Sequence, residues 1–166
     1  METMLLPYKG LAKRDLILFP HRIAPEKQVD IFRDLATHLP QYEFVVCQEQ
    51  NLTKHQYHTL LGEAKMVFSA NLQETLGISC YEGVVLDAIP FVPDRLSYTE
   101  MYFDTFKYPS VCTESYEYYL THRQKICYAI IQHMDNYSTR LKLLQQQKEQ
   151  LSERFFSAQP LYNNLK

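Results

Sequence analysis

Two groups of residues in this chain have the types and spacing to hold an anionic ligand that also carries hydroxyl groups. Arg22 and Lys27 follow a short apolar run, residues 15–21 (DLILFPH), that ends in Pro and polar residues. Cations just beyond a buried strand and beside a helix start attract anions, because backbone N–H groups and the positive end of the helix dipole add to them. The same two residues also suit an ordinary solvated surface. The second group lies in Asn71-Leu72-Gln73-Glu74-Thr75-Leu76-Gly77-Ile78-Ser79-Cys80-Tyr81-Glu82-Gly83. Gly77 falls where a loop enters a helix and lets the backbone approach a ligand closely. Glu74 in the loop and Glu82 in the helix can accept hydrogen bonds from two separate hydroxyl-bearing groups of one ligand. Glutamate is common enough in this chain that one such pair, seven residues between, arises by chance. The combination carries the chemistry, and the spacing alone does not.

The elements that must position these residues read as alternating strand and helix. Residues 15–21, 42–47 (YEFVVC), 65–70 (KMVFSA) and 89–93 (IPFVP) are short runs typical of buried strands, with a weaker one at 110–113. Between them, Phe32, Leu35, Ala36 and Leu39 recur at helical spacing after Pro25 and before Pro40. Tyr57, Leu60 and Leu61 do the same within 53–64, and 78–88 reads as a helix buried on most sides. Strands separated by single helices predict an α/β fold: a Rossmann-like parallel sheet with helices on both faces. In such sheets ligands bind beyond the carboxyl ends of the strands, where Arg22, Lys27 and Glu74 fall.

After Tyr116 the pattern changes. Ile126, Ile130, Met134, Tyr137, Leu141, Leu144, Leu151 and Phe155 trace one apolar seam and predict a long C-terminal helix over 122–156. That seam suits either packing on its own domain or a coiled-coil homodimer. The expected organisation is a lead-in over 1–14, the Rossmann-like domain over 15–121, the long helix over 122–156 and a tail over 157–166.

Composition narrows the classes. At 166 residues the chain suits one domain, and 46% hydrophobic with 22% charged residues argues against disorder. No apolar run approaches the roughly 20 residues that span a bilayer, and residues 1–13 lack a signal-peptide core. Cys47, Cys80, Cys112 and Cys127 are widely spaced and read as buried reduced thiols of a cytoplasmic protein. Four glycines leave neither a Gly-x-Gly-x-x-Gly loop nor a P-loop. The net charge of −2 hides a basic segment after residue 122, which suits an anionic partner or a solvated helix face. His55 and His58 have no carboxylate or Cys spaced to complete a metal site and read as surface histidines. His21 suits a ligand contact or a structural role. Tyr98, Tyr102, Phe103, Phe106 and Tyr108 suit base or sugar stacking, or core packing.

Taken in order, Arg22-x4-Lys27, then Glu74-x7-Glu82 enclosing Gly77, then Pro90 form a pattern. It resembles the C-terminal, nucleotide-sugar-binding half of a GT-B retaining glycosyltransferase of the glycosyltransferase family 4 type. The likeness spans about residues 15 to 108. The run 90–100 (PFVPDRLSYTE) is similar to the corresponding segment of the tRNA-queuosine mannosyltransferase group. The resemblance implies a nucleoside-diphosphate sugar as donor substrate, with no other cofactor and no divalent metal ligated by the protein. Arg22 and Lys27 would stabilise the leaving diphosphate as negative charge grows on it. Glu74 would hold sugar hydroxyls, the N–H groups of Thr75, Leu76, Gly77 and Ile78 would approach sugar and phosphates, and Glu82 would bind the ribose. It also implies an acceptor-binding half from another segment or a partner subunit, and it admits a nucleic acid acceptor, although the acidic body offers no broad phosphate-binding surface. Polysaccharide, lipid and protein acceptors stay open. A chain of this length also suits a non-catalytic assembly subunit acting through its C-terminal helix. Two departures stand out. Gly83 and Asp87 occupy positions where the family has Ala and Gly, so the packing of that helix is an open question. The second strand ends in Cys47-Gln48-Glu49-Gln50-Asn51 rather than in glycine-containing sequence, so base recognition does not carry over.

Overall fold

The computed structural model describes residues 2–74 and 76–156. The elements in chain order are α1 (Glu2–Leu5), β1 (Arg14–Phe19), α2 (Val29–His38), β2 (Glu43–Val46), α3 (Lys54–Glu63) and β3 (Ala64–Phe68). Then come α4 (Ile78–Val85), β4 (Ile89–Pro93), α5 (Tyr98–Met101), β5 (Lys107–Tyr108), α6 (Tyr116–Asp135) and α7 (Tyr137–Leu151). Residues Leu16, Ile17, Leu18 and Phe19 of β1 are wholly buried, as a strand apolar on both faces requires. That strand pairs in parallel with β2 on one side and β3 on the other, and the whole sheet runs β2-β1-β3-β4-β5, all parallel. The fold is Rossmann-like α/β, as the strand-helix alternation predicts.

Alternation along each strand sends side chains into two cores. Ile17, Phe19, Met66, Phe68, Ile89 and Phe91 pack with Phe32 and Leu35 of α2 and Ile126, Ile130 and Met134 of α6. Leu16, Leu18, Val67 and Val92 pack on the opposite face with Leu61 of α3, Cys80, Tyr81 and Val84 of α4, and Tyr98 of α5. Ile126, Ile130, Met134, Leu144 and Leu151 of the predicted C-terminal seam are therefore buried within their own domain, whereas Leu141 is exposed. The last helix joins both layers, since Leu144 enters the first core and Leu151 the second. Leu5 of α1 is also wholly buried in the second core, so the lead-in is part of the fold.

Two predicted elements differ in detail. Residues 110–113 form a 3-10 turn rather than a strand, with the Cys112 N–H donating to the Pro109 carbonyl at 3.0 Å. The fifth strand is instead Lys107–Tyr108, too short for any alternation to show. The C-terminal helix is two helices. The first begins at Tyr116, because the Ser115 side chain accepts the Tyr118 N–H at 3.2 Å as an N-cap. It ends at Asn136, whose side-chain amide donates to the Gln132 carbonyl at 2.9 Å and competes with helix continuation. After α7 the chain closes in a π turn, Ser152–Phe156, whose Phe156 ring stacks on Tyr81 at 3.9 Å. The tail over 157–166 lies outside the described residues.

The two departures from the resembled family have physical explanations. A Cβ at Gly83 would stand 2.9 Å from a Val67 methyl, so α4 lies on β3 more closely than Ala allows. Asp87 lies beyond the helix end with φ of 66°, in the left-handed region. Its N–H donates to the Val84 carbonyl at 3.0 Å, and the Ala88 N–H donates to Gly83 at 2.8 Å. This is a Schellman end, where Gly is favoured and Asp is one of the better-tolerated alternatives. The acidic side chain is thus outside the helix–sheet contact. Replacing Asp87 by Val, which resists that conformation, is expected to lower the unfolding free energy by about 1–2 kcal/mol. Asp87→Asn should stay within about 0.5 kcal/mol of the parent, and urea titration followed by circular dichroism measures both.

Candidate functional site

The order of the strands locates the site before any side chain is considered. From β1 the chain passes through α2 to one neighbour, β2, and returns through α3 to the other, β3. The loops leaving β1 and β3 therefore diverge at the carboxyl edge, and the crevice between them is where open parallel sheets receive ligands. Arg22 and Lys27 lie on the first loop and Glu74 on the other. The loops are tied together by the Leu72 N–H, which donates to the Glu26 carbonyl at 2.7 Å.

Lys27 ends a 3-10 turn, Pro25–Lys27, and only 8% of it is exposed. Its ammonium donates to the Gln73 carbonyl at 3.2 Å and to Glu74 Oε2 at 3.3 Å. The same carboxylate oxygen accepts from Asn71 Nδ2 at 3.0 Å. Asn71 in turn donates to the Tyr98 hydroxyl at 3.1 Å, and that hydroxyl lies 3.0 Å from Ser69 Oγ. A buried polar cluster thus runs from the end of β3 to the charged pair. Burial pushes the Tyr98 hydroxyl well above its ordinary pKa, so it stays protonated. Arg22 contrasts with Lys27. Its side chain is 70% exposed and pairs with Glu26 at 2.9 Å.

Two clefts open at this edge. One, of about 430 Å³, is lined by Arg22, Glu26, Lys27, Gln73, Glu74 and Leu96. The other, of about 530 Å³, lies between the ends of β1 and β2, with His21, Arg22, Gln48, Asn51 and Tyr57 among its walls. Arg22 belongs to both. Cys47 also faces the larger cleft, but burial pushes its thiol up to about 12, so it is no nucleophile near neutral pH. No family model matches this chain, and no curated protein sequence matches it.

The other expected residues are distributed as follows. Gly77, with φ of 61°, is the N-cap of α4 and provides no side chain to cap the first N–H groups of that helix. A Cβ there would come within 3.1 Å of the Tyr98 ring. Leu76 and Ile78 on either side are exposed. Thr75 lies outside the described residues. Glu82 is part of neither lining. It pairs with the nearly buried His58 Nε2 at 3.4 Å, and burial raises the carboxyl pKa against the opposing pull of His58. His58 is therefore a buried partner of Glu82 rather than a surface residue. His55 lies 2.9 Å from the Tyr8 hydroxyl through Nδ1. Among the described residues no three His, Cys, Asp or Glu side chains gather as a metal group.

Sequence reasoning missed Asn71, Arg95 and Leu96. The Arg95 guanidinium donates to the carbonyls of Asn71 and Ala70, each at 2.8 Å, and to those of Ser110 and Thr113 at 3.0 and 3.2 Å. The next residue, Leu96, has φ of 56° and is 41% exposed in the smaller cleft. A bulky L-residue held in that conformation costs roughly 1–2 kcal/mol. The one signal for Arg95 was a lone cation two residues beyond a wholly buried strand.

His21 is almost wholly buried, and its Nε2–H donates to the Phe68 carbonyl at 2.8 Å. Burial lowers its pKa to about 4; the Phe68 bond and Glu74 oppose this, and Lys27 adds to it. His133 is lowered to about 4 as well, by burial and by Arg140. Both rings are neutral in the fold but charge more readily in the unfolded chain. The unfolded state therefore binds more protons between pH 6.5 and 4. Stability should be intact above pH 6.5 and fall by up to about 3 kcal/mol per histidine as the pH drops to 4. Chemical denaturation at pH 7.0 and 4.5 measures the loss, and His21→Gln should flatten the profile.

Proposed function

We propose that this chain is the donor-binding lobe of a retaining glycosyltransferase of the GT-B kind. In this reading it binds a nucleoside-diphosphate sugar, and the glycosyl group passes to an acceptor presented by a second lobe or a partner subunit. The observation that carries the proposal is the meeting of Lys27 and Glu74 across the divergent loops, at 3.3 Å, in a cleft that also contains Arg22. Three charged groups read from the strand-end pattern share one crevice. A scaffold would have no need of them there.

The division of labour follows from the two clefts sharing Arg22. The nucleoside occupies the larger cleft and the sugar the smaller one, so the diphosphate lies at their junction beside Arg22. The exposed guanidinium releases Glu26 and takes phosphate oxygens in a bidentate contact, the geometry for which Arg is suited. Lys27 supplies a second positive charge from a buried position. As the glycosidic bond breaks, charge accumulates on the diphosphate, and both cations stabilise that charge more than the ground state. Glu74 is held by Lys27 and Asn71 and accepts hydrogen bonds from sugar hydroxyls. The N–H groups at the start of α4, which Gly77 does not cap with a side chain, add to the field felt by the phosphates. Glu82, engaged by His58, reaches a ribose only by exchanging that partner.

The burial of Ile126, Ile130, Met134, Leu144 and Leu151 in their own domain favours this reading over an assembly subunit acting through that helix. Among the described residues no helix is long and apolar enough to cross a membrane. Calorimetric titration with UDP-glucose, GDP-mannose and ADP-glucose tests the proposal. One nucleotide class is expected to bind, and Lys27→Ala should weaken it by about 10–100-fold through loss of a charge-assisted contact. Absence of binding by all three, with the protein folded by circular dichroism, would remove the donor-site reading.

A further inference from the structure

Among the described residues, Leu96 is the one apolar side chain in the lining of the cleft that contains Lys27 and Glu74. Its local energetics run against it twice over. The backbone stands at φ of 56°, which leucine adopts rarely, and 41% of the residue faces solvent. Neither the backbone preference nor burial therefore explains a leucine at this position.

The surroundings show how the conformation is held. On one side, Arg95 is bound to the carbonyls of Ala70, Asn71, Ser110 and Thr113. On the other, Tyr98 is wholly buried, with its hydroxyl against Ser69 and Asn71. The turn closes as the Thr99 N–H donates to the Leu96 carbonyl at 3.4 Å. A half-buried anchor and a wholly buried one thus hold an unfavourable backbone, and the result is an apolar side chain among charged groups. Strain maintained by over-determined surroundings at a cleft is the pattern expected of a ligand contact.

A pyranose has matching chemistry. Its hydroxyls project around the ring edge, where carboxylate and ammonium groups take them, while its faces carry C–H groups that gain from apolar cover. We propose that Leu96 is a specificity-determining contact that packs on the C–H face of the donor's pyranose ring while Glu74 and Lys27 hold its hydroxyl edge. This inference rests on the donor-binding reading above. It makes Leu96 recognise the sugar and leaves the nucleotide to other residues.

The test compares each sugar nucleotide with its own nucleoside diphosphate: UDP-glucose with UDP, GDP-mannose with GDP, ADP-glucose with ADP. Affinities are measured by calorimetry for the parent, Leu96→Gly, Leu96→Ala and Leu96→Met. For the pair that the parent binds, Leu96→Gly and Leu96→Ala should weaken the sugar nucleotide by about 5–10-fold and the nucleoside diphosphate by less than about 2-fold. Leu96→Met, which keeps apolar reach, should restore most of the difference. The midpoint of thermal unfolding should not fall in Leu96→Gly, since glycine accepts the backbone without strain. Equal weakening of both ligands would make Leu96 a loop-shaping residue and overturn the inference, as would no change in either, while the donor-binding reading stands. Failure of the folded parent to bind any of the six ligands overturns both.

Discussion

The carbonyl groups of Ala70 and Asn71 leave the end of β3 with no further strand to pair with, and a carbonyl inside a protein needs a donor. Arg95 and Gln28 provide those donors. The Arg95 fork takes both carbonyls at 2.8 Å, and Gln28 Nε2 reaches Ala70 at 2.7 Å. Both side chains also bind the Thr113 carbonyl, so the loops after β1, β3, β4 and β5 meet at one point. Among the described residues, none of the Arg95 bonds goes to a carboxylate. A planar guanidinium with five fixed donors suits this task as an ammonium does not. The meeting of Lys27 with Glu74 follows from this backbone bonding, because the loop bearing Glu74 leaves the strand in a direction the guanidinium has set.

Three of the four non-glycine residues with positive φ among the described residues fall in the same region. Gln28, Asn51 and Leu96 all have positive φ without being glycine, and they lie in the loops after β1, β2 and β4. The regular strands and helices behind them follow ordinary rules, with buried apolar strands such as β4 and capped helices such as α3, where Thr53 and Gln56 form a reciprocal capping box. Apart from Asp87 at the end of α4, local backbone rules are thus obeyed where the fold needs stability and broken where the loops converge. A sheet edge that must present polar groups has few ways to satisfy them, and unusual backbone is one.

Much of this was legible in the sequence, and the reasons for the exceptions are particular. Runs such as IPFVP declare a strand because each residue is apolar and the strand is buried on both faces. Arg22, Lys27 and Glu74 could be assigned to one edge from strand ends alone, since parallel topology sends those ends the same way. The pairing of Glu82 with His58 was not legible, because it depends on how α3 lies against α4. The Asn136 break was hidden because the apolar seam continues through it. Arg95 looks like any surface cation until the carbonyls of four loop residues are seen around it, and no spacing records where a carbonyl points.

The last helix sets an order of events. Leu144 and Leu151 close opposite sides of the sheet, and Phe156 lies flat on Tyr81 of α4. A nascent chain halted before α7 has its parallel strands and the helices that cover them, but it lacks the one element that enters both apolar layers. During synthesis the two layers can therefore form separately and are fastened to each other only once α7 has left the ribosome.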